Sequence, residues 1–173
     1  MTSTLLINLY AQTEKDALKN IIELHEKRKY QRSYKVNKEE LSKYKNSVLF
    51  YYWLAKNLLK IKVNTPQQRT KNYKQAIRLL DYSIKTFRLN YSVYPPNKKR
   101  LIESLYLCGI AHNFIGNQKM AISYMDKVIE VDGKQDKAWF NKAVIYEKLH
   151  NLVEASKAFI RYKELQKKDD DVF

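Results

Sequence analysis

Chemistry in this chain would have to rest on few residues: His25, His112 and His150, the single Cys108, and carboxylates spaced so as to meet them. The histidines are far apart in sequence. Glu147-Lys-Leu-His150 has the Glu-x-x-His spacing of carboxylate-bridged metal sites in helical bundles. Such a site needs a second pair of the same kind and two further glutamates, and the sequence offers no second pair. No HExxH, CxxC, glycine-rich phosphate loop or nucleophile elbow occurs either. The expectation is therefore a non-enzymatic protein without cofactor or metal. Cys108 stands among Leu105, Leu107 and Ile110 and reads as a small buried hydrophobe. His112 reads as a core residue, and His150 as the solvated end of a helix.

Charge is distributed unevenly. Residues 1–100 carry 22 Lys+Arg against 7 Asp+Glu, whereas residues 101–173 carry 11 against 11, so the whole net charge of +15 belongs to the first part. Its densest piece, Lys27-Arg28-Lys29-Tyr30-Gln31-Arg32-Ser33-Tyr34-Lys35, interleaves cations with tyrosines. Basic residues beside stacking surfaces suit a phosphate backbone with unstacked bases. They suit an acidic protein surface equally well. The basic patch is taken as Lys27, Arg28, Lys29, Arg32 and Lys35.

The elements that would position these residues are helices. Only three prolines and three glycines interrupt 173 residues, too few for a hairpin-rich sheet. Seven helices are predicted. The first runs from about 4 to 29 on the spacing of Leu6, Leu9, Ala17, Leu18, Ile21, Ile22 and His25. Asn37-Lys-Glu-Glu40 has the capping-box arrangement and predicts a second helix from there to about Lys62. Thr65-Pro66 starts a third. Tyr91-Ser-Val-Tyr-Pro95-Pro96-Asn97 marks the main break, after which helices are predicted near 98–115, 118–131, 136–149 and 152–167. Gly116-Asn117 and Val131-Asp-Gly133 supply stops. No run reaches the roughly 18 apolar residues of a membrane span. Met1–Gln12 is an apolar run without a preceding Lys or Arg, so it is expected to be part of the fold, in a cytoplasmic protein, and not a secretory signal.

The last four helices repeat. A shift of 34 residues lays Ala121-Ile-Ser-Tyr-Met125 on Ala155-Ser-Lys-Ala-Phe159, and sets Gly109 over Ala143, His112 over Tyr146, Leu105 over Trp139 and Val128 over Tyr162. A helix-turn-helix unit at this period resembles the tetratricopeptide repeat family. The unit at about 102–135 keeps the family's small residue (Gly109), turn glycine (Gly116) and alanine (Ala121). That at about 136–169 keeps Trp139, Ala143, Tyr146, Ala155 and Phe159. A diverged earlier unit has Tyr51, Leu54, Ala55 and Leu58 in one helix and Ala76, Leu80 and Ser83 in the next. Close approach at Gly109/Ala121 and Ala143/Ala155 is expected, with Trp139, Tyr146 and Phe159 filling the layer between units.

The resemblance implies an all-α architecture of antiparallel hairpins stacked as a short right-handed solenoid. The chain would divide into an N-terminal capping helix and basic linker (1–36), a diverged hairpin with an insertion (37–96), two repeats (97–168) and an acidic tail (169–173). It also implies a concave groove lined by the first helix of each unit. Carried onto this sequence, the lining residues are Tyr52, Trp53, Lys56 and Lys60; Tyr106, Ile110, Asn113 and Phe114; and Lys137, Phe140, Asn141 and Lys148. Such a groove suits an extended or helical peptide of some acidic character. Of the five-residue carboxylate clamp found in some members, only Lys137 and Asn141 fall near clamp positions. The expected function is a protein-interaction scaffold; the alternative is a helical nucleic-acid binder using the basic first part.

Overall fold

A computed structural model describes the backbone of residues 2–90 and 95–170 and the side chains of residues 11–89 and 96–167. The described residues form eight helices and no strand: α1 (Thr2–Glu26), α2 (Tyr30–Leu41), α3 (Val48–Lys60), α4 (Pro66–Asn90), α5 (Pro95–Phe114), α6 (Gln118–Val131), α7 (Asp136–Lys148) and α8 (Leu152–Asp170). They fall into two compact units that divide between Ser83 and Ile84, inside α4. The architecture is all-α, built of antiparallel helical hairpins. No described helix is long and apolar enough to cross a membrane.

The eighth helix is a correction. Residues 27–36 are not a linker, and Asn37 does not start a helix. Tyr30, Ser33, Tyr34, Asn37 and Leu41 share one face of α2, and all are buried or half-buried. Asn37 is fully buried in mid-helix, where its side chain donates to the Phe50 carbonyl at 3.1 Å. A polar residue that reads as a cap is thus a tertiary tie between α2 and α3. The proline pair differs from expectation too. Pro95 and Pro96 open α5 instead of preceding it, in first-turn positions where a missing N–H loses nothing. Residues 91–94 of the expected break, and the side chains of the acidic tail, lie outside the described residues.

Three hairpins share one turn. At Gly116 (φ 82°) the chain closes α5 with bonds from Gly116 N–H to the Asn113 carbonyl and from Asn117 N–H to the His112 carbonyl. His150 (φ 56°) repeats the pattern after α7, through Glu147 and Tyr146. Arg28 (φ 57°) repeats it after α1, through His25 and Leu24. This is the Schellman arrangement, with a left-handed residue just past the helix. Gly133, expected to be a second glycine stop, has no positive φ; α6 ends at an extended Asp132.

In the first unit, α1, α2 and α3 pack on one another around Leu18, Ile21, Tyr44 and Phe50, the last two rings stacked at 5.2 Å. Leu54, Ala55 and Leu58 on α3 and Ala76, Leu80 and Ser83 on α4 are all buried. Thr65 caps α4, its hydroxyl accepting from Gln68 N–H at 3.2 Å. In the second unit α5 packs on α6, α6 on α7, and α7 on α8. Leu101, Leu105, Cys108, Ala111, Ala121, Met125 and Val128 form the heart of the first hairpin, and Ala138, Ala143, Ile145 and Ala158 that of the second. His112 stacks on Tyr124 with ring centroids 5.3 Å apart. Phe159 does not fill a layer between units. It is 43% exposed and touches Tyr162, because among the described residues no helix follows α8 to cover that face.

Among the described residues one ion pair joins the two hairpins. Lys142 on α7, its side chain 14% exposed, meets Asp126 on α6 at 2.6 Å and lies over the Trp139 ring at 5.0 Å. Asp126→Ala leaves that ammonium largely desolvated without its partner. It is expected to lower unfolding free energy by about 1.5 kcal/mol, against about 0.3 kcal/mol for Glu154→Ala at the exposed Lys157 pair, both measured by urea titration.

A candidate docking face on the second unit

The repeat geometry sets α5 and α7, the first helices of the two hairpins, on one side of the second unit. A hydrogen bond ties them together: Asn141 Nδ2 donates to the Tyr106 hydroxyl at 3.0 Å. The same nitrogen donates to the Lys137 carbonyl one turn earlier, at 2.7 Å, so both amide protons are committed. Asn141 Oδ1 and the Tyr106 O–H proton then remain as an acceptor and a donor side by side. Burial holds the Tyr106 hydroxyl above the usual phenolic range, more strongly than the bond from Asn141 lowers it, so it is a protonated donor at neutral pH.

The other expected lining residues of this unit are placed as follows. Ile110 and Asn113 are half-buried on α5, while Phe114 is 62% exposed at its end. Phe140 is partly exposed and packs against Tyr162 at 5.2 Å. Lys137 and Lys148 are exposed, toward the two ends of α7. Apolar rings, two pinned polar atoms and two cations therefore lie on or beside α5 and α7.

The four candidates on α3 are placed differently. Tyr52 is buried at 3% exposure and belongs to the core of the first unit. Trp53 packs against that core and edge-on against His25 at 5.2 Å. Lys56 lies over the Trp53 ring at 4.2 Å and reaches the Tyr52 hydroxyl at 3.4 Å. Their role is packing: α1 and α2 both pack on the short α3, and α2 is not among the helices the sequence predicts. Lys60 is exposed and joins the basic residues instead.

Of the basic patch, Arg28, Lys29 and Arg32 line an open concavity of about 810 Å³ with Lys60 and Lys62 from the end of α3. Lys27 is apart, paired with Glu23 at 3.9 Å, and Lys35 is exposed further along α2. The interleaving of cations and tyrosines does not survive folding. Helical periodicity turns Tyr30 and Tyr34 to the packed face, and Tyr30 spends its ring on His25 at 5.0 Å. Sequence reading missed Lys62 and the convergence of the two turns, which depends on α2.

No family model matches the chain, and no curated protein matches it. Solved structures do. The fold is similar to MamA from Desulfovibrio magneticus RS-1, residues 41 to the end, at 20% identity over 90% of this chain and 77% of that one, with a TM-score of 0.74. It is similar to a MamA RS-1 ArsTM double mutant at 21% identity, over 90% of this chain and 76% of that one, with a TM-score of 0.70. For MamA AMB-1 the values are 18% identity, 87%, 72% and 0.64. At such identities the likeness speaks for the fold alone, and that fold is a tetratricopeptide-like arrangement of helical hairpins.

Proposed function

We propose that this protein is an interaction scaffold whose second unit docks a segment of a partner protein along α5 and α7. The Tyr106–Asn141 pair carries this reading. A donor and an acceptor held side by side match the C=O and N–H of an extended or helical backbone, and immobilising them in advance removes part of the entropic cost of binding. Phe140, Ile110 and Phe114 offer apolar contact beside them. Lys137 and Lys148 favour carboxylates in the docked segment, giving it an acidic character. Nothing in the arrangement calls for chemistry on the partner.

Peptides selected from a random library against the intact protein, then synthesised and measured by fluorescence anisotropy, test the reading. Asn141→Ala and Phe140→Ala are each expected to weaken binding about tenfold or more, with Lys157→Ala on α8 as the neutral control. Selected peptides that bind both variants as tightly as the parent would overturn it.

A further inference from the structure

The turn between α1 and α2 is built against local preference in three ways, all at cationic side chains. Arg28 occupies the left-handed position that glycine takes in the equivalent turn, at Gly116. Lys29 occupies the N-cap that asparagine takes there, at Asn117, a residue type far better suited to the position, and no side chain caps α2 or α6. Arg32 follows in the first turn of α2, which contains no acidic residue, so three positive charges crowd the positive end of a helix. The end of α3 brings Lys60 and Lys62 to the same concavity. No carboxylate lines it, and among the described residues none of the five cations makes an ion pair.

The geometry points to an anion site, and we infer that its ligand is a compact group of clustered phosphates, such as an inositol polyphosphate free or as a lipid headgroup. A bound polyanion would neutralise the five charges, complement the helix end and accept from the uncapped N–H groups of the first turn of α2. Compactness follows from the layout. The cations surround one concavity instead of following a track, and its one aromatic, Tyr30, is half-buried and already in T-shaped contact with His25. Single-stranded nucleic acid, which gains affinity by stacking and by length, fits this less well.

The full chain is titrated calorimetrically with myo-inositol hexakisphosphate at about 150 mM salt, where diffuse surface attraction is largely screened. Binding is expected at one site with micromolar affinity. Arg28→Gly/Lys29→Asn installs the residues of the Gly116–Asn117 turn; it should melt no lower than the parent and lose affinity at least tenfold. Lys60→Gln/Lys62→Gln, which leaves that turn untouched, should lose as much. Lys35→Gln/Lys38→Gln removes the same charge from exposed positions of α2 outside the concavity and should change affinity less than twofold. Co-sedimentation with phosphatidylcholine vesicles holding about 5% phosphatidylinositol bisphosphate identifies the source. Retention lost in Arg28→Gly/Lys29→Asn indicates a lipid headgroup, and no retention indicates a soluble ligand. The inference is overturned by absence of calorimetric binding, by equal losses in all three double variants, or by tighter, length-dependent binding to oligouridylate.

Discussion

Replacing Gly109 by valine is expected to lower the unfolding free energy by about 3 kcal/mol, the largest effect of any glycine substitution in this chain. A Cβ at Gly109 would stand 2.7 Å from Met125 Cε and 3.3 Å from the Ala121 carbonyl oxygen. The methionine end can swing aside, but the backbone oxygen belongs to α6 and moves only with its helix. Gly109→Ala is therefore expected to come out near zero, since a gain in helix propensity of about 1 kcal/mol offsets a modest displacement. Valine adds two γ-carbons to the same contact and must push α5 and α6 apart. The other glycines give contrasting controls. Gly116→Ala meets nothing within 4 Å but is strained by φ +82°, so a loss of about 1 kcal/mol is expected. Gly133→Ala meets only the Ile129 carbonyl at 3.8 Å and should be tolerated. Urea midpoints for the set decide it; Gly109→Val within 1 kcal/mol of the parent would mean that close approach is not what glycine provides there.

The second unit was legible in the sequence because its determinants are local. Gly109, Gly116 and Ala121, with Ala143 and Ala155 lying 34 residues after the first and last of them, encode close approach and turning in residue types that do little else. The first unit was legible only in part. Its α1–α2 turn has the geometry of the Gly116 turn, but Arg28 is the left-handed residue, and no propensity rule places a turn at arginine. With that turn unseen, Asn37-Lys-Glu-Glu40 reads as a cap, although burial and the bond to Phe50 put Asn37 in mid-helix. The same omission turned Tyr52 and Trp53 into surface candidates: their spacing on α3 matches a groove helix, but α1 and α2 pack on that helix. In the proposed docking face, Tyr106 and Asn141 were legible as positions. Their hydrogen bond was not, since it joins residues 35 apart.

The second large effect is expected at Asn57. This fully buried side chain sits at the meeting of α1, α2 and α3. Ser33 Oγ donates to the Ile21 carbonyl at 2.9 Å and accepts from Asn57 Nδ2 at 2.8 Å. Asn57 Oδ1 is thereby left to accept, and His25 Nδ1 lies 2.7 Å from it, so the proton of that bond belongs to His25. Asn57→Leu strips a bond from each neighbour while leaving their polar atoms in place, and a loss of about 3 kcal/mol in the urea midpoint analysis is expected. Removing the hydroxyl as well tests the cause. In a Ser33→Ala background the same substitution should be milder by about 1 kcal/mol, because one of the groups it orphans is already gone. Equal losses in both backgrounds would assign the effect to packing of the larger side chain. The network also holds α1 and α3 at the distance that brings Arg28 and Lys29 to Lys60 and Lys62. Asn57→Leu should therefore weaken hexakisphosphate binding under conditions where the variant is still folded, whereas Asp126→Ala, in the second unit, should leave it unchanged.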